Sequence, residues 1–429
     1  MSDFESRTTA TIRRRLLPLL FLLYVVAYLD RINIGFAALT MNAALSVTGP
    51  QFGLLLGIFF WGYFAFEVPS NILLHKFGAR VWLARILITW GIVAMLTGAV
   101  RSVPQLYVMR FLLGVAEAGF FPGVLLYLTY WFPQREQAGV IALFMTALPV
   151  ASIVGAPLSG FILDHAHWMS VDSWRWLLAL EGLPAVMCGA LAYALLPNRP
   201  ADATFLTPEE RTALSAELNR EDSQKISKRS YSATGALAHP RVWHLAAVLL
   251  TFDIGSYGMT FYMPQALKAM AGGHTNTAIG VFVMVPHLVG LAAMILVSRS
   301  SDRRLERRYH AAIPAVIGGG AMLALGTTTS LALSMVLWSL VAVAAYSFLG
   351  PFFAMPSKFL AGFGAASGIA LINSVGNLGG FFGPSIIGAF AGGAHGIYGG
   401  LRFTGVSFFV AASLTLLLPA PAHVGEPAV

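Results

Sequence analysis

The chain has 429 residues, of which 57% are hydrophobic and only 11% charged, with a mean hydropathy of +0.72. Soluble domains carry about 25% charged residues, so this composition excludes a soluble globular protein and indicates an integral membrane protein. The net charge of +8 does not indicate nucleic-acid binding, because the basic residues lie in short gaps between apolar segments, where they set orientation. The single cysteine, Cys188, excludes a disulfide within the chain.

Apolar segments follow one another along the chain, each near the length of about 20 residues that a helix needs to cross the hydrocarbon core. We predict twelve spans, at 16–38, 51–74, 81–100, 104–130, 138–163, 174–196, 241–270, 275–298, 310–328, 331–355, 363–391 and 401–419. The start "MSDFESRTTATIRRR" runs into the first segment without a small-residue cleavage site, so we expect no removable signal peptide. The predicted fold class is an all-α membrane protein with twelve transmembrane helices.

Basic residues are distributed unevenly between the two sets of loops. Most Lys and Arg residues lie at the N-terminus and in the even-numbered loops. The opposite loops hold Arg101, Lys268 and Arg402, and the spans hold Arg31, Arg110 and Arg175. Because cytoplasmic loops carry the excess of basic residues, we expect both termini to be cytoplasmic.

The longest polar stretch lies between the sixth and seventh spans. The predicted domains are a first six-helix bundle at 1–196, a linker at 197–240 and a second six-helix bundle at 241–429. Within the linker, "LTPEERTALSAEL" predicts a short amphipathic surface helix, with Thr207 as its N-cap and Pro208 at its first position. Leu214 and Leu218 share one face of it. We interpret this segment as a linker rather than as a site for a partner.

The two halves resemble each other. "GVIALFM…IVGAPLSGFI" in the fifth span aligns with "SGIALIN…FFGPSIIGAF" in the eleventh. The loops "LLHKFGARVWLAR" and "SRSSDRRLERR" correspond at nearly the same offset. A shared offset favours duplication over chance similarity of Gly-rich apolar helices. Parallel repeats that meet at a central cavity are a known transporter architecture.

Charged residues inside the first span are the next signal, since an ionised group at the bilayer centre costs about 2.5–3.5 kcal/mol on insertion scales. Asp30 and Asn33 are three residues apart and share a face of the helix. Tyr28 lies half a turn before Asp30. Arg31 lies about 100° round the helix from Asp30 and need not point the same way. Asp30 is a candidate proton site, with structural pairing as the alternative.

The second and fourth spans carry further charges. Arg110 and Glu117 are two turns apart on one face, separated by roughly 10 Å along the helix. Substrate or proton binding is the functional interpretation, and packing between helices is the structural one. Tyr63 and Glu67 share a face of the second span. We expect Glu67 to brace the adjacent "HKFGAR" segment.

The second half has fewer charges inside its spans. Asp253 and Tyr257 share a face of the seventh span, and Asn373 and Asn377 share a face of the eleventh. Asp253 could serve substrate or structure, and the asparagines could join helices, although we favour substrate contact for Asn377. The first half thus carries the titratable chemistry, and the second supplies hydrogen bonds and shape.

These residue types fit an anion carried together with protons. The planar guanidinium of arginine matches a carboxylate, and a carboxyl group in a dry site can take up and release a proton. An anion that arrives at the arginine competes with the carboxylate for it, which couples anion binding to proton uptake.

Other kinds of site find no support in the sequence. On these span boundaries, histidines fall near span ends or in loops: His75, His165, His167, His287 and His310. The sequence shows no metal-ligand cluster, nucleotide-binding loop or nucleophile elbow. We therefore expect no enzyme, catalytic residue, cofactor or metal.

The twelve spans, duplicated halves and paired basic loops resemble the major facilitator superfamily. Within it, "YLDRINIGFA", "YFAFEVPSNILLHKFGARVWLARI", "RFLLGVAEAGFFPG" and "INSVGNLGGFFGP" closely resemble the anion:cation symporter family, over nearly the whole chain. That family includes bacterial permeases for tartrate, sugar acids, phthalate and hydroxyphenylacetate. "FFAMPSKFLAGFGAASGIALINSVGNLGG" looks most like the tartrate and aromatic-acid permeases.

The resemblance implies proton-coupled uptake of organic carboxylates by alternating access. By match of motif, the proton-coupling acids are Asp30 and Glu117. The residues expected to bind substrate or line its cavity are Arg31, Arg110, Tyr28, Tyr63, Asp253, Tyr257, Asn373 and Asn377. The residues expected to act in gating are His75, Lys76, Arg80, Asp302 and Arg303.

Three departures from the family pattern affect these expectations. Asn71, His75 and Lys76 occupy the places of a Gly, an acid and a base in the first loop motif, so the gate-closing role of that acid is weakened or moved to Glu67. In the second loop, Ser298 replaces a usual glycine. Asp253 is not a residue that the family pattern predicts in the seventh span. It would either set substrate specificity or, unless protonated, repel anions.

The sequence therefore predicts a proton-coupled importer of a small organic anion in the bacterial cytoplasmic membrane. Its expected partners are the anion, protons and membrane lipid, with no nucleic acid, and the family expectation is a monomer. Proton-antiport efflux and anion exchange remain alternatives. Anion exchange would be favoured by one arginine in each half, but the second half has no basic residue at mid-membrane. Drug or metabolite efflux would not require the arginines of the first half. A membrane enzyme or a receptor finds no support.

Overall fold

The computed structural model describes residues 3–227, 235, 237–356, 363–393 and 396–418, and every regular element in these ranges is helical. The α-helices of the first half are α1 (Asp3–Ala44), α2 (Gly49–Phe77), α3 (Ala79–Thr97), α4 (Val103–Glu117), α5 (Phe120–Thr129), α6 (Gln134–Met145), α7 (Ala147–His165) and α8 (Ser173–Leu195). The linker contains α9 (Pro208–Ser227). The second half contains α10 (Pro240–Ala271), α11 (Asn276–Arg304), α12 (Arg308–Ala324), α13 (Leu331–Ser347), α14 (Leu349–Phe353), α15 (Phe363–Asn377), α16 (Gly379–Ala391) and α17 (Gly396–Leu417).

Eleven helical segments of the described chain are long and apolar enough to cross a membrane. The predicted eleventh span, 363–391, is not among these segments, and in the structure it consists of α15 and the shorter α16. Leu378 joins them with right-handed helical backbone angles (φ −63°, ψ −19°), so α16 continues the course of α15. The predicted fourth span is likewise two helices, since Gly119 adopts φ +85° between α4 and α5. The first helix extends well beyond the predicted 16–38.

Local sequence explains where several helices begin. At the start of α2, the Thr48 hydroxyl accepts from the Gln51 N–H at 3.4 Å, and the Gln51 side chain accepts from the Thr48 N–H at 2.9 Å. This capping box satisfies two donors that the first turn leaves free. Thr207 and Glu210 make the same reciprocal pair at 3.2 and 2.9 Å. The predicted N-cap of the linker helix is therefore confirmed.

Helix α9 packs against the first half. Leu214 is buried, and Leu218 packs against the core from a partly buried position. On its polar side, Arg135 Nη1 contacts Glu217 Oε1 at 2.6 Å, and the backbone N–H of Gln134 donates to Glu221 at 3.0 Å. The amphipathic helix is confirmed, and it extends about two turns beyond the predicted segment. The domain limits at 196 and 241 stay a prediction.

The two ends of the bundle differ. We call the end with the loops at 75–80 and 302–307 the basic end, and the end with His165 and Asn276 the opposite end. At the opposite end, Asp164 on α7 accepts four hydrogen bonds of 2.7–3.0 Å from the backbone and side chains of Asn276 and Thr277 on α11. It thereby caps a helix of the other half and ties the halves together.

Candidate functional site

The candidate site lies where α1, α2 and α4 face the second half. Two glycines bring α2 and α4 together. A Cβ atom at Gly114 would lie 2.9 Å from the backbone nitrogen of Tyr63, and one at Gly62 would lie 3.1 Å from that of Val115. Larger residues would force the helices apart. This close contact sets the ring of Phe59 and the side chain of Tyr63 beside the charges of α4.

Arg31 and Glu117 form an ion pair. The Arg31 Nη2 atom donates to Glu117 Oε1, and only 13% of the Arg31 side chain and 4% of the Glu117 side chain are exposed. The Arg31 guanidinium also lies 5.4 Å from the centroid of the Phe59 ring and 5.6 Å from that of Tyr63. A buried pair of this kind stabilises the fold mainly by leaving neither charge alone.

Arg110 lies near this pair without an ion-pair partner among the described residues. It is 2% exposed, and its Nε and Nη2 atoms have no hydrogen-bond partner there. Its guanidinium lies 5.1 Å from the centroid of the same Phe59 ring that Arg31 contacts. Glu117 is within electrostatic reach of Arg110. Two arginines thus share one carboxylate, and the unpaired donors of a buried arginine have the geometry to bind a carboxylate.

Asp30 points in another direction. Its Oδ2 atom accepts from Trp90 Nε1 on α3 at 2.6 Å, and its Oδ1 atom accepts from Asn33 Nδ2 at 3.3 Å. Asp30 is 2% exposed and makes no ion pair with Arg31. The sequence left open whether Asp30 and Arg31 point the same way, and in the structure they do not. The rotation of about 100° between adjacent residues sends Asp30 into the first half and Arg31 toward the second.

The second half contributes polar groups that face Arg31. The Tyr257 hydroxyl donates to Asn377 Oδ1 at 3.2 Å, and the Tyr257 ring packs edge-on against Phe60 of α2, with centroids 4.7 Å apart. Asp253 is half-buried and within electrostatic reach of Arg31. The structure therefore brings Tyr257, Asn377 and Asp253 to the face predicted for them.

Tyr28 and Tyr63 lie at the same interface between the halves. Tyr28 on α1 lies near Thr260 on α10. Tyr63 is buried beside Arg31.

Asn373 has a different partner from Asn377. Its Nδ2 atom donates to Glu67 Oε1 at 3.1 Å, and Ser374 Oγ donates to Glu67 Oε2 at 2.6 Å. Glu67 is on α2 and both donors are on α15, so these bonds bridge the halves. The expectation that Glu67 braces the "HKFGAR" segment is wrong for its carboxylate, although its backbone carbonyl accepts from Asn71 at 3.0 Å.

The predicted gating residues lie in the two loops of the basic end. His75 Nδ1 is 3.3 Å from the hydroxyl of Tyr130, and Lys76 lies 5.7 Å from the ring of Phe77. Arg80 binds the end of α8 through the Tyr193 carbonyl, and its backbone N–H donates to Asn198 at 3.0 Å.

The second loop is joined within itself. Asp302 pairs with Arg307 at 2.5 Å, and Arg303 is exposed. Within the described ranges, these contacts of His75, Arg80 and Asp302 lie inside their own half.

Sequence reasoning missed two buried titratable residues. Glu181 on α8 is 3% exposed and accepts from Ser159 at 2.6 Å. His287 lies in the interior of α11 rather than near a span end, is 4% exposed, and contacts the Tyr346 hydroxyl at 2.8 Å. The expectation for His287 is wrong, because residue 287 falls in the middle of the predicted span 275–298 as well as of the helix. An ionisable residue inside an apolar segment was the signal for both.

The described residues hold no group of three or more His, Cys, Asp or Glu side chains placed to bind a metal ion. What the interface does offer is two arginines, one shared carboxylate and a facing set of hydroxyl, amide and carboxyl groups. That set can bind an anion and exchange a proton.

Comparisons with known proteins identify the family and the fold. A family model described as Major Facilitator Superfamily matches residues 20–384. A protein named "Putative tartrate transporter" from Agrobacterium vitis is 42% identical, over 100% of this chain and 98% of its own length. A "Quinolone resistance transporter" from Acinetobacter baumannii is 37% identical, over 97% of this chain and 96% of its own.

A solved structure with the same fold is that of a bacterial homologue of the human lysosomal transporter Spinster, in an inward-facing and unoccupied conformation. It covers 97% of each chain with a TM-score of 0.73 and 18% sequence identity. At that identity the likeness is one of fold alone.

Proposed function

The chain belongs to the major facilitator superfamily and is a multi-pass membrane transporter rather than an enzyme, and from this premise we propose that it carries a small organic carboxylate together with protons. The observation that carries the proposal is the Arg31–Glu117 ion pair beside Arg110, whose buried donors lack a partner in the described chain. An apolar substrate would make no use of these donors, and a neutral polar one would leave the buried charge without a counterion. A carboxylate would satisfy them in a bidentate contact.

Anion binding and proton uptake are coupled through Glu117. When a substrate carboxylate binds Arg110 and draws Arg31 toward it, Glu117 loses the partner that neutralises it. A buried carboxylate without its partner is destabilised by several kcal/mol, so Glu117 takes up a proton. Release of the substrate restores the ion pair and expels the proton.

Tyr257, Asn377 and Tyr63 are placed to recognise the rest of the substrate. Hydroxyl and amide groups suit a hydroxylated acid, and the rings of Phe59 and Phe60 suit an aromatic one. The 42% identity to a protein named for tartrate favours the hydroxylated class. Asp253, which faces Arg31, would repel a second carboxylate and so limits where the charge of the substrate can lie.

The halves alternate access by breaking different contacts at the two ends. At the opposite end these are the Asp164 bonds to α11, and toward the basic end they are the Glu67 bonds to α15. The excess of basic residues places the basic end, with both termini, in the cytoplasm. Uptake across the bacterial inner membrane then runs from the opposite end to the basic end.

The test uses purified protein in liposomes that contain a pH dye. Tartrate, aldonates, phthalate and hydroxyphenylacetate are added outside in turn. We expect interior acidification with one class, and loss of acidification but retention of anion exchange in Glu117→Gln. Arg110→Lys keeps the charge but loses the planar fork, and we expect it to weaken anion binding. Glu136→Gln, which alters only a surface pair with Arg13, is the matched control.

Two results would contradict proton symport. Exchange of radiolabelled anion without acidification in the wild type would favour anion exchange. Proton-driven export of a quinolone, without movement of any acid, would favour efflux, the activity suggested by the name of the relative from Acinetobacter baumannii.

A further inference from the structure

A second set of buried polar side chains lies inside the first half, on the far side of α1 from Arg31. Its centre is Glu181 on α8, which accepts from Ser159 on α7 at 2.6 Å. Asn33 on α1 donates to Asp30 at 3.3 Å and also lies near Glu181. One amide therefore stands between two carboxyl groups, and Asp30 and Glu181 are within electrostatic reach of each other.

No cation pairs with either carboxyl group among the described residues. The polar and charged groups that face the pair are Asn33 from α1, Trp90 from α3, Arg110 and Glu117 from α4, and Ser159 and His165 from α7. Arg110 acts on Asp30 only at a distance and is itself beside Glu117. Two buried carboxylates without a cation repel each other and lack solvation, so the arrangement is stable when the pair holds a proton.

A groove reaches Glu181 from the opposite end of the bundle. It has a volume of about 310 Å³ and runs between α1, α7 and α8, with Leu29, Phe161, His165 and Trp168 in its walls. The Oε2 atom of Glu181 is buried and has no hydrogen-bond partner in the described chain. Glu181 lies roughly 12 Å along its helix from Ser173 at that end, and His165, which ends α7, stands exposed near the mouth.

We propose that Glu181 and Asp30 share a proton and that Glu181 is the group at which protons reach this pair from the opposite end. A hydronium ion in the groove gives its proton to Oε2 of Glu181 and leaves as water. The proton then passes to Asp30, whose carboxyl group Asn33 orients through its hydrogen bond. Asp30 lies deeper in the membrane and within electrostatic reach of Glu117, so it connects the groove to the substrate-coupled carboxylate. This inference rests on the proposed proton-coupled transport.

The first experiment compares Glu181→Gln with the wild type in liposomes, measuring substrate-driven acidification and radiolabelled anion exchange separately. We expect acidification to fall about 100-fold, the lower end of the effect of losing a positioned proton-transfer group, while exchange continues. Glu181→Asp should restore acidification with a shifted dependence on external pH, a change that a purely structural role would not produce. Acidification by Glu181→Gln at the wild-type rate and pH profile would overturn the proposal.

A second measurement needs no variant of Glu181 and remains valid if Glu181→Gln does not fold. Dicyclohexylcarbodiimide couples to protonated carboxyl groups in apolar surroundings, and peptide mass spectrometry locates the adduct. We expect labelling of Glu181 in the wild type at neutral pH and slower labelling in His165→Trp, which fills the mouth of the groove. Absence of the Glu181 adduct would overturn the proposal. A wild type that never acidifies would instead contradict proton symport, and the labelling would still show whether Glu181 holds a proton.

Discussion

Closure of the opposite end depends on backbone contact between α2 and α16, and replacing Gly53 by alanine tests this. A Cβ atom at Gly53 would lie 2.5 Å from the carbonyl oxygen of Pro384 and 3.0 Å from the Cα of Gly388. Ordinary contact begins at 3.4 Å, so the helices must separate by roughly 1 Å. Overpacking on this scale costs about 1–3 kcal/mol. The closed opposite end should therefore lose about 5–150-fold in population relative to the open one.

The assay is alkylation of an introduced cysteine. Cys188 is the single cysteine of the sequence, so Cys188→Ala gives a background in which Ser385→Cys reports on the α2–α16 interface, close to Gly57. We expect a membrane-impermeant maleimide to react faster when Gly53→Ala is added, by a factor within the range above.

Gly320→Ala is the matched control, because a Cβ there meets nothing within 4 Å. An unchanged alkylation rate in a folded Gly53→Ala protein would refute the idea that glycine contact holds this end closed.

Two further predictions concern the basic end. Glu67→Gln keeps the shape of the side chain but removes the charge to which Asn373 and Ser374 donate, and each hydrogen bond to a charged group contributes about 1.5–3 kcal/mol. We therefore expect faster hydrogen–deuterium exchange in α15 of the variant. Exchange equal to that of the wild type would contradict the bridging role of Glu67. Partial burial alone would raise the pKa of Glu306, but hydrogen bonds from His310 and from the backbone N–H groups of α12 hold that pKa below its usual range. The stabilisation from Glu306 is then complete above the unfolded carboxyl value of about 4.3 and is lost as pH falls through the lower folded value. Thermal unfolding in detergent should show this acid dependence in the wild type and a weaker one in Glu306→Gln, and identical pH profiles would contradict it.

The positions of the charges could be predicted from the sequence, but most of their partners could not. Helical spacing allowed Arg31 to point away from Asp30 and put Tyr63 on the same face as Glu67, since both statements depend only on rotation along one helix. The Trp90 partner of Asp30 and the Ser374 partner of Glu67 lie on other helices. Spacing along one chain segment carries no information about such pairs.

Glu181 shows a different limit of sequence reading. It sits in the apolar run "LLALEGLPA" and satisfies the same criterion that selected Asp30, Glu67 and Glu117. A carboxylate seven residues past the start of a predicted span is easily taken for a residue near its end. Its significance comes from Ser159 and Asn33, which reach it from α7 and α1. Likewise, Asn373 and Asn377 share a face as predicted, yet their partners lie at different depths of the interface.

The adjacency of Asp30 and Arg31 now has a physical reason. Had both charges lain on one face, they would have neutralised each other, and neither could have responded to a substrate or a proton. One residue step rotates the side chain by about 100°, enough to place Asp30 against Trp90 inside the first half and Arg31 against Glu117 at the interface. The backbone of α1 then separates the carboxyl pair that we propose holds a proton from the cation that we propose binds the anion. On the proposed mechanism, a change of charge on one side alters the field on the other across a single turn of helix. Moving the acid by one position, as in Asp30→Asn with Leu29→Asp, should abolish coupling even though the net charge of the span is unchanged.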